Sequence, residues 1–446
     1  AEAGLRAAGL AARVERELLG RFCPRHRGQL HQCRQRCLLL GAGCGGSEEE
    51  DPVAEWLSVV IHPETLEELP FDLEERRRSL AAVARTEGRL SRAGLVVCSH
   101  PTMLCVLLAE VSNQPVFAHA SSTLLYGLPC PECGGTGDTT LRLHSNEGVQ
   151  GYLLGLRRML CGGGRGAAGR QPRLALLAEG RFLAEQVRHQ LRVDVPWVPP
   201  LALYTQEKWL GGQRRNAVVL RSRFFVTLMG EILRCLLREI SSINGLAAEV
   251  TFLGQDKQFD EQWLTLEQIA SYGAAVLYPN DLHQRTFHEV YRMGMPLLMP
   301  DAFGLFRAQR AANWGYAAYG SVALPELEGA LADGCAAAEP PSRPPLPFEP
   351  WWNSFNSTPE VVTFFASFAD WEQFPHVLRF ASLPGLLDLL LSADLAAVSA
   401  RMLDFHRRRS EEAMAVVTHH ILGVLEDPAG EGAAASGEAS SWPGEK

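Results

Sequence analysis

The sequence predicts an α/β fold with two doubly wound halves, and three observations carry this prediction. Short apolar runs alternate with helical patterns along most of the chain. The apolar runs of the second half lack polar alternation, which is typical of parallel strands covered by helices on both faces. At 446 residues the chain is about three times the usual length of one domain, so we expect two domains plus irregular segments.

Residues 1–52 are predicted to be an N-terminal extension outside the two domains. A helical pattern over Leu5–Leu19 is followed by a segment rich in Cys, Arg and Gly, which ends in the acidic run Ser47–Asp51. The α/β alternation begins only after this run, so the extension is expected to lie at the periphery.

Residues 53–200 are predicted to form the first, Rossmann-like domain. Its predicted strands are 56–62, 95–99, 115–121 and 174–179, and its predicted helices are 73–89, 102–110, 153–160 and 180–191. The proline-rich segment Val193–Tyr204 disfavours both helix and central strand, so it predicts the connection to the next domain, with the boundary near residue 200.

Residues 201–426 are predicted to form the second Rossmann-like domain with C-terminal helices. Its predicted strands are 217–222, 249–254, 274–279 and 296–300, and its predicted helices are 225–240, 264–271, 285–293 and 393–425. We interpret Trp371, Phe374 and Phe380 as core residues of this domain. Residues 333–350 predict an irregular loop, and residues 427–446 predict a disordered tail.

Composition excludes several classes of protein. A hydrophobic fraction of 46% excludes a chain that is disordered throughout, and a net charge of −9 gives no overall attraction to nucleic acid. No run reaches the ~18 uninterrupted apolar residues of a spanning helix, so no transmembrane segment is expected. The chain begins at Ala1, so it is interpreted as a fragment or processed form. A cytoplasmic location is favoured, with the secretory-pathway lumen as the alternative for a processed fragment.

Eleven cysteines predict mostly reduced thiols. Cys98, Cys105 and Cys235 lie in apolar segments, where cysteine commonly serves as a small buried hydrophobe. Cys130 and Cys133 lie in CPECGGTG, which resembles one cysteine-rich repeat of the Hsp40 co-chaperones. Tetrahedral zinc needs four ligands and only one repeat is present, so a glycine-rich loop is favoured and no metal is predicted.

The segment Val276–Asp301 is the strongest candidate for a binding site. It contains a strand end, a polar loop, a helix, a turn and a second strand in succession. Ligands of open α/β sheets bind outside the carboxyl ends of the strands, and the N–H groups of a helix N-terminus favour phosphate. We therefore expect a diphosphate to lie beside four consecutive residues, His283, Gln284, Arg285 and Thr286. Glu289 lies one turn further along the same helix, within reach of a ribose.

Arg221 and Arg223 are predicted to contribute to the same diphosphate site. They follow the first strand of the second half, in VLRSRFF. The guanidinium group pairs with two phosphate oxygens at once and does not lose its charge. Surface charges that merely flank the strand are the alternative.

Glu289, Gly294 and Pro296 resemble the C-terminal domain of GT-B glycosyltransferases, where a glutamate on a late helix is followed by a Gly-x-Pro turn into the next strand. The resemblance covers about residues 217–301. It implies two Rossmann-like domains facing a cleft, with Glu289 and Gly294 at the nucleotide-sugar site. It also implies that Glu289 binds the ribose hydroxyls and that no metal cofactor is obligatory. Retaining members of the family carry a pair of glutamates here. In this chain an acid, Asp281, stands eight residues before Glu289, but not in the family's Gly-rich context. Whether the sugar would be transferred with retention or inversion of its anomeric configuration therefore stays open.

His100 is the predicted catalytic base. In SHPTML it follows a strand of the first domain, and the pKa of a histidine lies near working pH. A packing or capping role is the alternative. His119, Ser121 and Ser122 are acceptor-side candidates at the next strand end.

The predicted function is transfer of a sugar from a UDP- or GDP-linked donor to an unidentified acceptor, which could be a glycan, a protein or a small molecule. One alternative is a non-catalytic GT-B-like binding or scaffold protein. Another is a sugar-nucleotide epimerase on the same layout. Dinucleotide redox chemistry is disfavoured, because no GxGxxG motif directly follows a first strand with an acidic residue ~20 positions later.

Overall fold

A computed structural model describes the positions of a large part of the chain. The described residues are 77–78, 80–82, 93–98, 102–112, 114–120, 146–161, 174–211, 217–220, 223–243, 250–252, 265–279, 284–312 and 366–426.

The first half contains a parallel sheet. Its described strands are β1 (Val96–Cys98), β2 (Val116–Ala120), β3 (Leu174–Glu179) and β4 (Trp197–Val198), in the order β1-β2-β3-β4. Helices α1 (Thr102–Val111), α2 (Asn146–Leu160) and α3 (Arg181–Leu191) lie between the strands in sequence. Because neighbouring parallel strands need crossover connections, these helices cover the sheet and bury its apolar residues.

The second half contains another parallel sheet. Its described strands are β5 (Ala217–Val219), β6 (Val250–Phe252), β7 (Ala274–Val276), β8 (Leu297–Pro300) and β9 (Leu378–Phe380), in the order β6-β5-β7-β8-β9. The order reverses at β5, as in doubly wound sheets.

Seven further helices accompany this sheet among the described residues. They are α4 (Leu228–Ile243), α5 (Leu266–Ala270), α6 (Arg285–Arg292), α7 (Ala302–Ala312), α8 (Asp370–Gln373), α9 (Leu383–Ser392) and α10 (Leu395–Glu426), and the 3-10 helix Arg223–Val226 precedes α4. The α/β character predicted from the sequence is therefore confirmed.

One apolar cluster contains buried residues of both halves. Leu107 and Leu176 of the first half belong to the same cluster as Val290 and Met299 of the second. The apolar interior is thus continuous between the two sheets.

Helix α10 connects the two halves by packing. The helix contacts α6 of the second half and strands β2, β3 and β4 of the first sheet. Its residues Ala413 and Ile421 are buried against Phe117 and Leu177. The predicted helix 393–425 is confirmed, and its bounds agree with α10 within two residues.

Several elements differ from the sequence prediction. Helix α2 begins at Asn146, seven residues before the predicted helix 153–160, and helix α7 (Ala302–Ala312) was not predicted. Strand β4 lies inside the segment predicted as a connection, where Trp197 and Val198 pair with the edge of β3. Strand β9 was not predicted, because three residues between helices carry too little periodicity. The helix predicted from Phe225 begins as a 3-10 turn, and Thr227 Oγ1 accepts from Gly230 N at the start of α4.

The prediction of reduced thiols is wrong for Cys98 and Cys105, which form a disulfide. Cys98 is the last residue of β1 and Cys105 lies in the first turn of α1, and their Cα atoms are 5.5 Å apart. Cys161 is also disulfide-bonded. Cys235 is exposed rather than buried. Trp371, Phe374 and Phe380 are buried, as predicted for core residues.

Within the described residues, no single helix has both the length and the apolar character to cross a membrane. Helices α9 and α10 pass that test only when taken together as a pair bent by 90°.

Candidate functional site

Helix α6 presents a polar ridge beside a buried apolar face. Phe287, His288, Val290 and Tyr291 are buried. Thr286, Glu289 and Arg292 recur every third residue and are half-buried. Side chains three apart on a helix are neighbours, so these three form a continuous ridge. We call Thr286, Glu289 and Arg292 the α6 ridge.

The carboxylate of Glu289 has a partner from the segment that follows β4. The hydroxyl of Tyr204 donates a hydrogen bond to Glu289 Oε1. Tyr204 itself is 43% exposed, so this contact lies at the surface. The carboxylate predicted to bind ribose is therefore close to the chain that connects the two sheets.

The same segment is held along the second half by several further bonds. Arg292 Nε donates to Thr205 O over 2.8 Å, and the Trp209 backbone N–H donates to Met293 O over 2.8 Å. The Trp209 indole N–H donates to Tyr272 O. Burial lowers the pKa of Arg292 from its ordinary value, although a guanidinium stays charged at neutral pH.

The N-terminus of α6 has no side-chain cap. Gln284 is the N-cap residue and makes no side-chain capping bond. The first N–H groups of a helix have no partner inside the helix, and such groups favour an anion. Among the described residues, the buried Oε1 of Gln284 has no hydrogen-bond donor. Thr286 lies in the first turn of α6, close in sequence to this uncapped N-terminus.

The buried face of α6 is fixed by a polar pair. His288 Nε2 donates to Asp370 Oδ2 over 2.8 Å, and the two side chains are 1% and 2% exposed. The Tyr291 hydroxyl donates to Pro375 O over 2.7 Å. Phe374 packs edge-on against the rings of His288 and Tyr291. These contacts lock the rotation of α6 and so set the direction in which the α6 ridge points.

His406 of α10 also contacts the segment after β4. Its Nε2 donates to Leu201 O over 3.1 Å. Burial lowers the pKa of His406 to about 4, the bond to Leu201 opposes this shift, and the charge of Arg292 and the ring of His288 add to it. The ring is therefore neutral near pH 7 and acts as a hydrogen-bond donor.

Gly294 occupies a turn that only glycine fits well. Its φ is +69°, a conformation that is costly for residues with a Cβ. A Cβ at this position would lie 2.6 Å from Leu403 Cγ of α10. The absence of a side chain at Gly294 therefore allows the turn after α6 to lie close to Leu403 of α10.

Of the remaining predicted site residues, the structure describes some and not others. Arg223 lies in the 3-10 helix after β5, and only its backbone is described. His119 lies on β2 and is half-buried. Several other candidates fall outside the described residues: Arg221, His283, His100, Asp281, Ser121, Ser122, Cys130 and Cys133. The structure therefore brings Thr286 and Glu289 together.

Sequence reasoning missed Tyr204, Thr205 and Asp370. Tyr204 and Glu289 are 85 residues apart, and Asp370 and His288 are 82 apart. No periodic pattern links residues at such separations. One available signal was the polar spacing of Thr286, Glu289 and Arg292, which marks the ridge on which the segment lies.

Among the described residues, no group of three or more His, Cys, Asp or Glu side chains is arranged to hold a metal ion.

No protein-family model matches the chain, and no curated protein matches it. Among solved structures, the chain is similar to one described as the glycotransferase of kitacinnamycin. The match covers 79% of this chain and 84% of that chain, with 10% sequence identity and a TM-score of 0.31.

Proposed function

We propose that this protein is a glycosyltransferase that takes a UDP- or GDP-linked sugar as donor, with Glu289 binding the ribose hydroxyls. The observation that carries the proposal is the position of the Glu289 carboxylate. It lies on the helix after β7, half-buried, and already accepts a hydrogen bond from a hydroxyl group. A ribose diol would offer the same chemistry, because each hydroxyl can donate to a carboxylate.

The N-terminus of α6 supports a diphosphate position. Uncapped N–H groups favour phosphate, and Glu289 is on the second turn of the same helix. Gln284 Oε1 lacks a donor among the described residues, so a ligand hydroxyl or amine could satisfy it.

The other residues enter this proposal from the sequence. Arg221, Arg223 and His283 would hold the diphosphate and stabilise it as the leaving group, and His100 would act as a base on the acceptor hydroxyl. Positive side chains and helix N–H groups can stabilise a leaving diphosphate without an obligatory metal.

One observation favours a second candidate, a non-catalytic binding or scaffold protein. The Tyr204 hydroxyl already occupies Glu289 Oε1, so the carboxylate has an internal partner. A chain that had lost nucleotide binding could keep such a contact permanently.

The test is a thermal-shift titration with UDP, GDP, ADP and their common sugar conjugates. A ligand at 100 times its dissociation constant should stabilise the native chain by ~2.7 kcal/mol. Glu289→Gln should lose this response. The matched control is Glu267→Gln, since Glu267 is an exposed glutamate of α5.

A product assay then separates transfer from the alternatives. Transfer requires an acceptor and yields a glycosylated product and free nucleotide diphosphate. Release of nucleotide diphosphate and a sugar inverted at one carbon, with water as the only acceptor, would indicate the epimerase instead. Absence of any nucleotide response by the folded chain would favour the scaffold protein and contradict the proposal.

A further inference from the structure

The chain leaves the neighbouring strands β5 and β7 toward opposite faces of the second sheet. Val276 of β7 belongs to the same apolar cluster as Leu237 of α4, the helix that follows β5. The next residue, Leu277, points to the other face, where it belongs to the same cluster as Val290 of α6. The strand order reverses between β5 and β7. In open α/β sheets this arrangement leaves a crevice at the carboxyl ends of the two strands.

Tyr278 lies at this crevice, two residues after Val276, the last residue of β7. Its ring stacks on Phe224 with 5.0 Å between the ring centroids, and it meets Phe225 and Phe380 edge-on. Phe224 and Phe225 follow β5, and Phe380 is the last residue of β9. Rings from the ends of two other strands therefore hold the Tyr278 side chain in place.

The Tyr278 hydroxyl is the polar side-chain group of this aromatic cluster. Tyr278 is 6% exposed, and its hydroxyl makes no hydrogen bond within the described part of the chain. A buried tyrosine hydroxyl commonly has a hydrogen-bond partner. Burial raises the pKa of this hydroxyl above its ordinary value, so the group keeps its proton and can donate. The crevice therefore offers a fixed donor that can serve a ligand.

The N-terminus of α6 adds further donors at the same edge of the sheet. Residues 279–284 lead from Tyr278 to α6, and this helix begins without a side-chain cap. The first N–H groups of a helix have no partner inside the helix. Helix N–H groups and a phenol hydroxyl both donate, and phosphate oxygens accept from several such donors at once. The two features together favour a phosphate group over a neutral ligand.

We propose that the Tyr278 hydroxyl donates a hydrogen bond to a phosphate oxygen of the nucleotide diphosphate. This inference rests on the proposed function and adds a residue to its diphosphate site. Glu289, the proposed ribose ligand, lies one turn further along α6 and so further from the carboxyl edge of the sheet. The phosphates, rather than the ribose, are therefore the part of the nucleotide assigned to Tyr278.

Tyr278→Phe tests this assignment, because it removes one oxygen atom and keeps the ring contacts. Isothermal titration calorimetry compares the native chain and the variant with inorganic pyrophosphate, UDP, GDP, uridine and guanosine. We expect the variant to bind pyrophosphate and the cognate nucleoside diphosphate about tenfold more weakly, as for loss of one hydrogen bond to a charged group. Its affinity for the nucleoside without phosphates should equal that of the native chain.

Tyr272→Phe is the matched control. Tyr272 is a half-buried tyrosine that precedes β7, so it lies at the opposite edge of the same sheet. This variant should bind every ligand like the native chain. Circular dichroism of both variants should match that of the native chain, because neither substitution removes a ring.

The possible outcomes separate this inference from the proposed function. If Tyr278→Phe binds pyrophosphate and nucleotide as tightly as the native chain, the hydroxyl contacts water only, and the inference is overturned while the proposed function stands. Equal weakening for the nucleoside and its diphosphate would assign the hydroxyl to the nucleoside, which also overturns the inference. A native chain that binds no nucleotide contradicts both.

Discussion

Tyr204 and Glu289 are joined by a hydrogen bond in which the tyrosine hydroxyl donates to the carboxylate. The bond links the segment after the first sheet to the helix that carries the predicted ribose ligand. A ligand hydroxyl that donates to Glu289 must either displace the Tyr204 hydroxyl from Oε1 or donate to the other carboxylate oxygen, Oε2.

Tyr204→Phe removes the competing hydroxyl. We expect the dissociation constant of the cognate nucleotide to fall by about three- to tenfold, which corresponds to ~1 kcal/mol for one partly exposed hydrogen bond. Isothermal titration calorimetry measures the change, with Tyr272→Phe as the control on a nearby half-buried tyrosine. Weaker binding by Tyr204→Phe would mean that the hydroxyl contacts the ligand rather than excludes it.

Gly294→Ala should destabilise the fold through strain and contact together. Gly211 provides the matched control, because its φ is +75° and no atom lies within 4 Å of an added Cβ. Gly211→Ala should cost ~1 kcal/mol from the backbone alone. Gly294→Ala should cost about 1 kcal/mol more in urea denaturation, because of Leu403. Equal losses of folding free energy in the two variants would show that Leu403 does not contribute to the cost at Gly294. If Leu403 does contribute, Leu403→Ala made in the Gly294→Ala variant should recover the extra loss.

Asp370→Ala should be strongly destabilising. It leaves the buried His288 ring without its carboxylate partner, and a buried polar group that loses its hydrogen-bond partner costs about 1–3 kcal/mol. Urea denaturation measures the free energy of unfolding of the native chain, of Asp370→Ala and of a control variant. Asp388→Ala on the exposed face of α9 should lie within about 0.5 kcal/mol of the native chain. A similar small effect at Asp370 would contradict the structural role assigned to the pair.

His406 makes stability depend on pH. Its pKa in the folded chain is about 4, below the ordinary 6.5, so the unfolded chain binds more protons between these values. The contribution of His406 is present above pH 6.5 and is lost as the pH falls toward 4. At its limit the loss approaches ~3 kcal/mol.

Urea denaturation at several pH values measures this slope. His406→Gln should have a shallower dependence between pH 4 and 6.5 than the native chain. Arg292 and His288, which face His406, remain in the variant, so the difference isolates the ring of His406. Parallel slopes would show that His406 is not the group responsible.

The alternation of elements was predictable because it depends on local patterns. Strand β3 and the start of α6 lie at the predicted residues, since apolar runs and helical periodicity are properties of neighbouring residues. Strand β9 was not predictable in this way. Three residues, Leu378–Phe380, become a strand because β8 pairs with them, which is a long-range event.

The candidate site was predictable only in part for the same reason. Glu289 and Thr286 are on one helix, so their spacing alone places them on one ridge. The contacts of Tyr204 with Glu289 and of Asp370 with His288 depend on how distant segments pack. The disulfide between Cys98 and Cys105 depends on how the end of β1 and the first turn of α1 are placed in space, which amino-acid composition does not predict.

The central claim is that Glu289 binds the ribose of a sugar nucleotide. The most direct measurement is a calorimetric double cycle with the cognate nucleotide, its 2′-deoxy and 3′-deoxy analogues, the native chain and Glu289→Gln. If the claim holds, at least one deoxy analogue binds the native chain about 10- to 100-fold more weakly, as expected for loss of a hydrogen bond to a charged group. Glu289→Gln should discriminate far less between the ligands. Equal discrimination by the native chain and the variant would contradict the assignment of Glu289 to the ribose.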